Sequence, residues 1–496
     1  MQIHLPVIVK GKQLHTKDVQ EVVTLSYEND LQIVLPDIEK LSPEEIIPEP
    51  FCIANLSVDE ITSVVSRVGH HIIGDKEKLV NHSKLISQVT GYPPEVAGRD
   101  LYAVADMMAG QERLYSMLEC ELGTFHALDE WLPSKCVYRR AIPRGLIYHV
   151  MVGNVPAAAL YTLIRSILIK GASIAKLPSR DPITALCFAQ AFVEVIPNHP
   201  VTHSITVGYW DHNCKLHQEI LNRSGAVSVW GGDKACEEVQ KATPTGVPIL
   251  VFGPKRSLSI VQLQNSEDGS DAARRLVHDI ISYDQEACFS TQMIFAYGET
   301  DGFADILAKW MMYIQKARQP GITFFDNAAR RSQFLLQAKI LGVRIITSEP
   351  GKPPWAVLET SDKTAAAHLA VEHPFTRTVI IVKVDGWRDV LPWIDRNTQT
   401  VGLYPWSIQE EVRDEVALCG ADRMCEVGRN DRPRAGFTHD SYLPLQFFVR
   451  WICIDRPSSY RYKHWYATPK EIDDAFYGKL EEVNKLGPAY NPFEVI

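Results

Sequence analysis

The sequence predicts an α/β protein with two apposed Rossmann-type domains, each built on a parallel sheet. Three observations predict it. From Gly145 onward, short β-branched apolar runs alternate with helical stretches of about ten to fifteen residues, the signature of βαβ units. A second alternation of the same style begins near Lys255. No Pro/Gly-rich linker separates the two, so the lobes are expected to pack against each other. The expected division is 1–254 for the N-terminal region and cofactor-binding domain, 255–440 for the catalytic domain, and 441–496 for a C-terminal return or bridging segment.

The elements follow in order. Up to about residue 130 the pattern is mixed: Leu5–Val9 and Leu31–Leu35 read as strands, Ser57–Ile73 and Leu101–Leu122 as amphipathic helices. Gly145–Met151 is continuously apolar, as a strand covered on both faces must be. Gly153-Asn154-Val155-Pro156 turns into a helix whose early proline suits a first-turn position. That helix runs to about Lys170, where Gly171 is expected to supply a left-handed stop. Ser173–Lys176 is a strand, and Asp181-Pro182 caps a helix reaching Val195. Ile205–Val207, Val227–Trp230 and Ile249–Phe252 are further strands. In the second half, Ala272–Ser282, Ala304–Lys316 and Asp385–Ile394 read as helices, Gln292–Ala296 and Thr376–Val382 as strands.

Composition narrows the function. The 496 residues are 46% apolar and 22% charged, which excludes disorder and a small disulfide scaffold. Lys and Arg total 51 against 60 Asp and Glu, a net charge of −9, which argues against nucleic acid as the partner. A local basic pocket for a phosphorylated cofactor remains compatible with that balance. The longest apolar region, His149–Leu177, is broken by Asn154, Arg165 and Lys170, so no membrane span is expected. Leu5–Val9 is too short for a signal peptide, and a cytoplasmic location is the expectation. The ten cysteines form no CxxC, and no histidine has metal-ligand spacing.

Absent motifs matter as much. There is no GxGxxG after a strand, no GxxxxGK[ST], no HExxH and no GxSxG, so ordinary Rossmann dehydrogenases, P-loop nucleotidases, zincins and lipase-type hydrolases lose ground. Three stretches stand out instead. In Ser282-Tyr283-Asp284-Gln285-Glu286-Ala287-Cys288-Phe289-Ser290-Thr291-Gln292, a cysteine sits among polar residues between a helix and a strand. Nearby N–H groups could lower its pKa there; Cys187 and Cys453, by contrast, lie in apolar runs. Asn154 stands at a strand-to-helix turn, where it would either cap the helix or aim its amide at a developing oxyanion. Trp230-Gly231-Gly232-Asp233 joins a strand to a helix whose N-terminus would favour a pyrophosphate.

The order and spacing of Asn154, Lys176, Gly231 and Cys288 resemble the aldehyde dehydrogenase superfamily. More narrowly, the chain is similar to the long-chain acyl-protein thioester reductases, the LuxC-type fatty acid reductases that make aldehyde for bacterial luciferase. The motifs that carry this are Gly153-Asn154-Val155-Pro156, Trp230-Gly231-Gly232-Asp233, Phe252-Gly253-Pro254-Lys255, Tyr283-Asp284-Gln285 with Ala287-Cys288-Phe289-Ser290-Thr291-Gln292, and His439-Asp440 with Pro444-Leu445-Gln446. The resemblance covers about residues 5 to 465. It implies an aldehyde-dehydrogenase-like fold with a small bridging or oligomerisation element. It also implies Cys288 as the acyl-accepting nucleophile, Asn154 as a donor to the oxyanion, Lys176 at the adenosine ribose, and Gly231 and Gly232 at the pyrophosphate.

Two departures from ordinary aldehyde dehydrogenases are informative. Their general-base Glu corresponds to Val251, so no carboxylate there activates water against an acyl-cysteine. Where NAD-preferring relatives place a Glu on the ribose diol, the spacing gives Ser179 followed by Arg180, which favours NADPH. The implied partners are a long-chain acyl thioester, an acyl-protein synthetase and an acyl-transferase, with the chain itself a homo-oligomer. A CoA-acylating aldehyde dehydrogenase on shorter substrates and a non-redox cysteine acyl carrier or hydrolase are the alternative readings.

Overall fold

A computed structural model describes residues 1–134, 137–321, 325–434 and 436–455. Cys136 and most of the expected return segment 441–496 lie outside the described residues. The chain divides into two units, Met1–Phe125 with Pro143–Arg450, and His126–Ile142 with Trp451–Ile496. The smaller is built on a three-stranded sheet, in the order Val449–Asp455, Val137–Pro143, Leu132–Pro133. The larger carries two seven-stranded sheets.

With the strands of the large sheets numbered in chain order, the first sheet holds β1 (Val7–Val9), β2 (Lys12–Leu14), β3 (Leu146–Val150), β4 (Ala172–Lys176), β5 (Ile205–Gly208), β6 (Ala226–Trp230) and β7 (Ile249–Phe252). Their order is β7-β6-β3-β4-β5-β1-β2, parallel from β7 to β5 and antiparallel at the β1-β2 edge. The chain leaves β3 toward β4 and β5, then returns to lay β6 and β7 on the other side of β3. The order reverses there, which opens a crevice beyond the carboxyl ends of β3 and β6. Leu146 to His149 are all buried, as the continuous apolar run required. His149 is the polar exception. Ser166 Oγ lies 3.2 Å from its ring, and burial pulls its pKa down to about 3, so it packs as a neutral side chain.

The second sheet holds β8 (Arg256–Leu263), β9 (Thr291–Gly298), β10 (Arg344–Thr347), β11 (Ala356–Thr360), β12 (Thr378–Lys383), β13 (Thr398–Tyr404) and β14 (Arg423–Glu426). Their order is β10-β11-β12-β9-β8-β13-β14, parallel except for β10. Side chains alternate between two cores: Ile260, Phe295 and Ile380 pack on one face, Val261, Ile294 and Ile381 on the other. Only Gly253-Pro254-Lys255 separates β7 from β8.

Several expectations need correction. The helix expected over Leu101–Leu122 is two, Pro94–Ala109 and Gln111–Leu122, broken at Gly110 where the backbone is extended (φ −83°, ψ 95°). Asp385–Ile394 is not an α-helix but a 3₁₀ segment, Trp387–Trp393; Pro392 inside it has no N–H for an α ladder. The left-handed residue after the helix Pro156–Leu168 is Lys170 (φ 65°), not Gly171. Gly171 is needed for space instead. A Cβ there would lie 2.9 Å from Ile169 Cδ1 and 3.1 Å from the Ser166 carbonyl. Asp181 does hold the start of the helix Thr184–Val195, accepting N–H bonds from Ile183 and Thr184. Among the described residues no helix is long and apolar enough to cross a membrane.

Candidate active site

A cavity of about 1510 Å³ lies at the crevice. It is lined by the turns that follow β3, β6 and β7, by the loop entering β9 and by the segment around His439 and Asp440. Asn154, Ser179, Arg180, Gly231, Gly232 and Cys288 all line it. Lys176 does not; its ammonium sits 5.4 Å over the Tyr209 ring.

Cys288 stands three residues before β9, on a loop with an unusual backbone. Tyr283, Asp284 and Gln285 are all left-handed, at φ 52°, 48° and 74°. Each such residue costs of order 1 kcal/mol and persists only where its surroundings hold it. Each has a specific anchor. Tyr283 donates its hydroxyl to Asp100 at 2.5 Å. Arg377 Nε donates to Asp284 at 2.7 Å. Gln285 donates to the Thr291 carbonyl at 2.7 Å and accepts from Thr378 N–H at 2.8 Å. Beyond the cysteine, Ser257 Oγ donates to the Cys288 carbonyl at 2.7 Å, and Asn430 Nδ2 to that of Phe289 at 2.8 Å. The loop is therefore pinned on both sides of its thiol.

That thiol is not activated in the resting protein. Burial pushes its pKa up to about 12, and the nearby Asp440 carboxylate adds to the rise. The N–H groups of Phe289 and Cys288 do lower it, as the sequence suggested, but burial outweighs them. Lys255 pulls the same way as those N–H groups. Attack on a substrate therefore requires a partner that takes the proton.

Asn154 does not cap the helix after it; the N-cap is Val155, without a side-chain cap bond. Its Nδ2 crosses to the Cys288 loop and donates to the Glu286 carbonyl at 3.2 Å. One amide hydrogen serves that bond, and Nδ2 carries a second. Glu286 itself is held by Arg180 at 2.5 Å, by the Tyr92 hydroxyl at 2.8 Å and by Asn327 at 3.4 Å. The same Tyr92 hydroxyl lies 2.7 Å from the Asn154 carbonyl. Arg180 is thus turned to the Cys288 loop. The Ser179 carbonyl accepts a bond from the Tyr27 hydroxyl at 2.7 Å.

At the crevice, Gly231 N–H bonds the Phe252 carbonyl at 3.2 Å, and Gly232 is the N-cap of the helix Asp233–Ala242. A Cβ at Gly232 or Gly253 would meet only open space. Beside them Trp230 and Phe252 stack at 4.0 Å, and the His439 ring stands edge-on to both. Asp440 follows in a left-handed conformation (φ 47°), and Lys255 pairs with Asp422 next to it.

Sequence reasoning missed Tyr92, Glu286 and Lys255 as parts of this site. It quoted His439 and Asp440 only as motif residues, without a role. The motifs around Glu286 and Lys255 could have flagged them. Tyr92 gave no signal, because it is brought in from the helical N-terminal region.

The chain is similar to known proteins over most of its length. A family model described as acyl-CoA reductase (LuxC) matches residues 53–451. The chain is 32% identical over 469 residues to a long-chain acyl-protein thioester reductase of Vibrio harveyi, covering 93% of this chain and 95% of that protein. It is 34% identical over 383 residues to the protein so named from Photorhabdus luminescens, covering 76% and 78%. In fold it is similar to an oxidoreductase from Marinobacter aquaeolei, with a TM-score of 0.72 at 13% identity over 91% of this chain and 98% of that one. A lactaldehyde dehydrogenase from Escherichia coli gives a TM-score of 0.67 at 12% identity over 92% and 99%. With the family model spanning most of its length, this chain belongs to the acyl-CoA reductase (LuxC) family, an oxidoreductase on an aldehyde-dehydrogenase-like fold.

Proposed function

We propose that this protein reduces a long-chain acyl thioester, carried by CoA or by an acylated protein, to the fatty aldehyde with NADPH, through an acyl group held on Cys288, and that the aldehyde supplies bacterial luminescence. Reduction of a fatty acyl group to aldehyde is the chemistry of the family. The observation that supports the finer reading is that the Asn154 amide bonds the loop two residues before Cys288, and that both residues line a cavity large enough for a long acyl chain.

The residues divide the work. Cys288 Sγ attacks the thioester carbonyl and takes the acyl group. The second hydrogen of Asn154 Nδ2 and the Cys288 N–H receive the oxyanion that develops. Glu286 is committed to Arg180, Tyr92 and Asn327, so it orders the loop and is poorly placed to take a proton from water. Val251, an aliphatic residue on β7, occupies the position where relatives of the wider superfamily carry a base. The acyl-cysteine is thereby protected from hydrolysis.

The crevice fits a dinucleotide: it is the switch point of the first sheet, it has the space that Gly232 and Gly253 leave open, and the helix Asp233–Ala242 starts there. Gly231 and Gly232 would hold the pyrophosphate, Lys176 the adenosine ribose, and Ser179 with Arg180 would admit a 2′-phosphate that a Glu would repel. When bound, the nicotinamide supplies the hydride.

The test is incubation with tritiated tetradecanoyl-CoA, followed by NADPH. Label is expected first on Cys288 and then in tetradecanal, and Cys288→Ala is expected to lose both. Aldehyde formed at a near wild-type rate by Cys288→Ala would mean that the free thioester is reduced directly. Free tetradecanoic acid as the product would make the protein a hydrolase.

A further inference from the structure

We propose that Asp440 is the proton acceptor for Cys288: as the thiol attacks, its proton passes to the Asp440 carboxylate, directly or through one water, and from there to the departing thiolate. The proposal rests on the acyl-cysteine reading above.

Geometry singles the residue out. Asp440 lines the same cavity as Cys288, is buried, and its Oδ1 has no hydrogen-bond partner among the described residues. Gln399 lies close enough to the carboxyl group to lower its pKa. A buried carboxylate oxygen without a donor is uncommon, and here it belongs to a residue that lines the same cavity as Cys288. The backbone gives independent support. Asp440 and Ser441 are both left-handed (φ 47° and 65°), in a turn closed by paired N–H bonds between His439 and Tyr442. Strain of this kind, held in place by its surroundings, marks positions where a side chain must point one way.

The neighbours suit proton exchange. The groups facing Asp440 are Cys288, Lys255 from the β7–β8 link, Asp422 before β14, and His439, whose Nε2 is 3.9 Å from Asp440 Oδ1. Lys255 and Ser441 both engage Asp422. Burial keeps the His439 ring neutral, with a pKa lowered to about 3. While the proton is on sulfur, the carboxylate charge opposes formation of a thiolate. Once the proton has moved, that opposition is gone and Lys255 attracts the new charge. Burial also lifts Asp440 to about 7, where it can both take and give a proton near neutral pH.

The step balances. The S–H bond of Cys288 breaks as its sulfur bonds the acyl carbon. The bond from that carbon to the donor sulfur then breaks, and the departing thiolate takes the proton from Asp440. No electrons change hands in this half-reaction, so it can be followed without nicotinamide.

Asp440→Asn is the decisive variant, because asparagine tolerates the left-handed conformation and removes only the charge. Transfer of the tritiated tetradecanoyl group from CoA to Cys288 is expected to slow by about 10²-fold or more at pH 7. The rise of the wild-type rate with pH through about 7 should disappear. Alkylation of Cys288 by iodoacetamide should instead become faster at the same pH, since the opposing charge has gone. Opposite signs in the two assays distinguish proton transfer from a distorted turn. Acyl transfer at the wild-type rate, or slowing of both reactions together, overturns the role of Asp440. Wild-type protein that takes no label on Cys288 overturns the acyl-cysteine reading instead.

Discussion

Asn154 shows how the partner of a side chain decides its role. A cap and an oxyanion donor look alike in sequence; the bond to the Glu286 carbonyl, 132 residues away, removes the cap and leaves the oxyanion role as the proposal to test. Asn154→Ala should lower acyl transfer to Cys288 by about 10²- to 10³-fold, the usual cost of one oxyanion donor. NADPH affinity, read by fluorescence titration, should barely move. A loss of stability with full activity per folded molecule would reduce Asn154 to a tether of the loop. Ser179→Glu tests the cofactor in the same way. A carboxylate set against the 2′-phosphate in a partly desolvated site is worth a few kcal/mol, so preference should shift toward NADH by roughly 10- to 100-fold. Arg180→Ala should shift it less and also slow acyl transfer, because Glu286 loses its cation. An unchanged ratio of the two affinities in both variants would place recognition of the 2′-phosphate elsewhere.

At the scale of the element, the loop 282–290 stores strain that distant segments hold in place. Its left-handed turn meets a second one, Phe375-Thr376-Arg377 (φ 56°, 50°, 54°), through the Arg377–Asp284 pair and the Thr378–Gln285 bond. Arg377 also donates to the carbonyls of Arg318 and Gln319. It is largely buried, so Arg377→Ala leaves Asp284 without its cation and should destabilise the protein by about 3 kcal/mol, measured by urea denaturation. Acyl transfer should fall further than stability accounts for, since Cys288 is carried on the freed loop. A variant with lowered stability but wild-type acyl transfer would show that the two turns are coupled only structurally. None of this was visible in the local pattern. Tyr283-Asp284-Gln285 reads as a motif in a polar loop, and its left-handed backbone becomes apparent only with its anchors, Asp100, Thr291 and the Arg377-Thr378 pair, from three separate segments.

Across the whole molecule, buried titratable groups set the pH range of stability. Burial lowers His149 and His439 to about 3 and His217 and His373 to about 4, against an ordinary 6.5. Their contribution is full above pH 6.5 and is lost as the pH falls, because the unfolded chain takes up the protons first. Burial raises Asp100 to about 6, and Asp279 and Asp440 to about 7, so their contribution is full below about pH 4 and is lost as the pH rises through 6 to 7. Between about pH 4.5 and 6 the two sets oppose each other. Below about 4 the unfolded carboxylates fill and the histidines alone decide. The melting temperature should therefore be nearly level from pH 6.5 to 5, fall between about pH 5 and 3 and flatten below that as the native histidines also take up protons; a steady decline from pH 7 downward in calorimetry would contradict these assignments. The sequence by itself determined the βαβ alternation, six of the seven strands of the first sheet (all but β2) and the cysteine loop, because these follow from local periodicity and from residue types at a junction. Only the tertiary structure decided that Lys170 rather than Gly171 is left-handed, that β8 and β13 are interior strands of the second sheet, and that Asn154 bonds the loop of Cys288. It alone brought Asp440 and a thiol 152 residues earlier in the chain to the lining of one cavity. Desolvation and charge–charge coupling act through space, and no local pattern in the chain encodes which distant groups will share a buried volume.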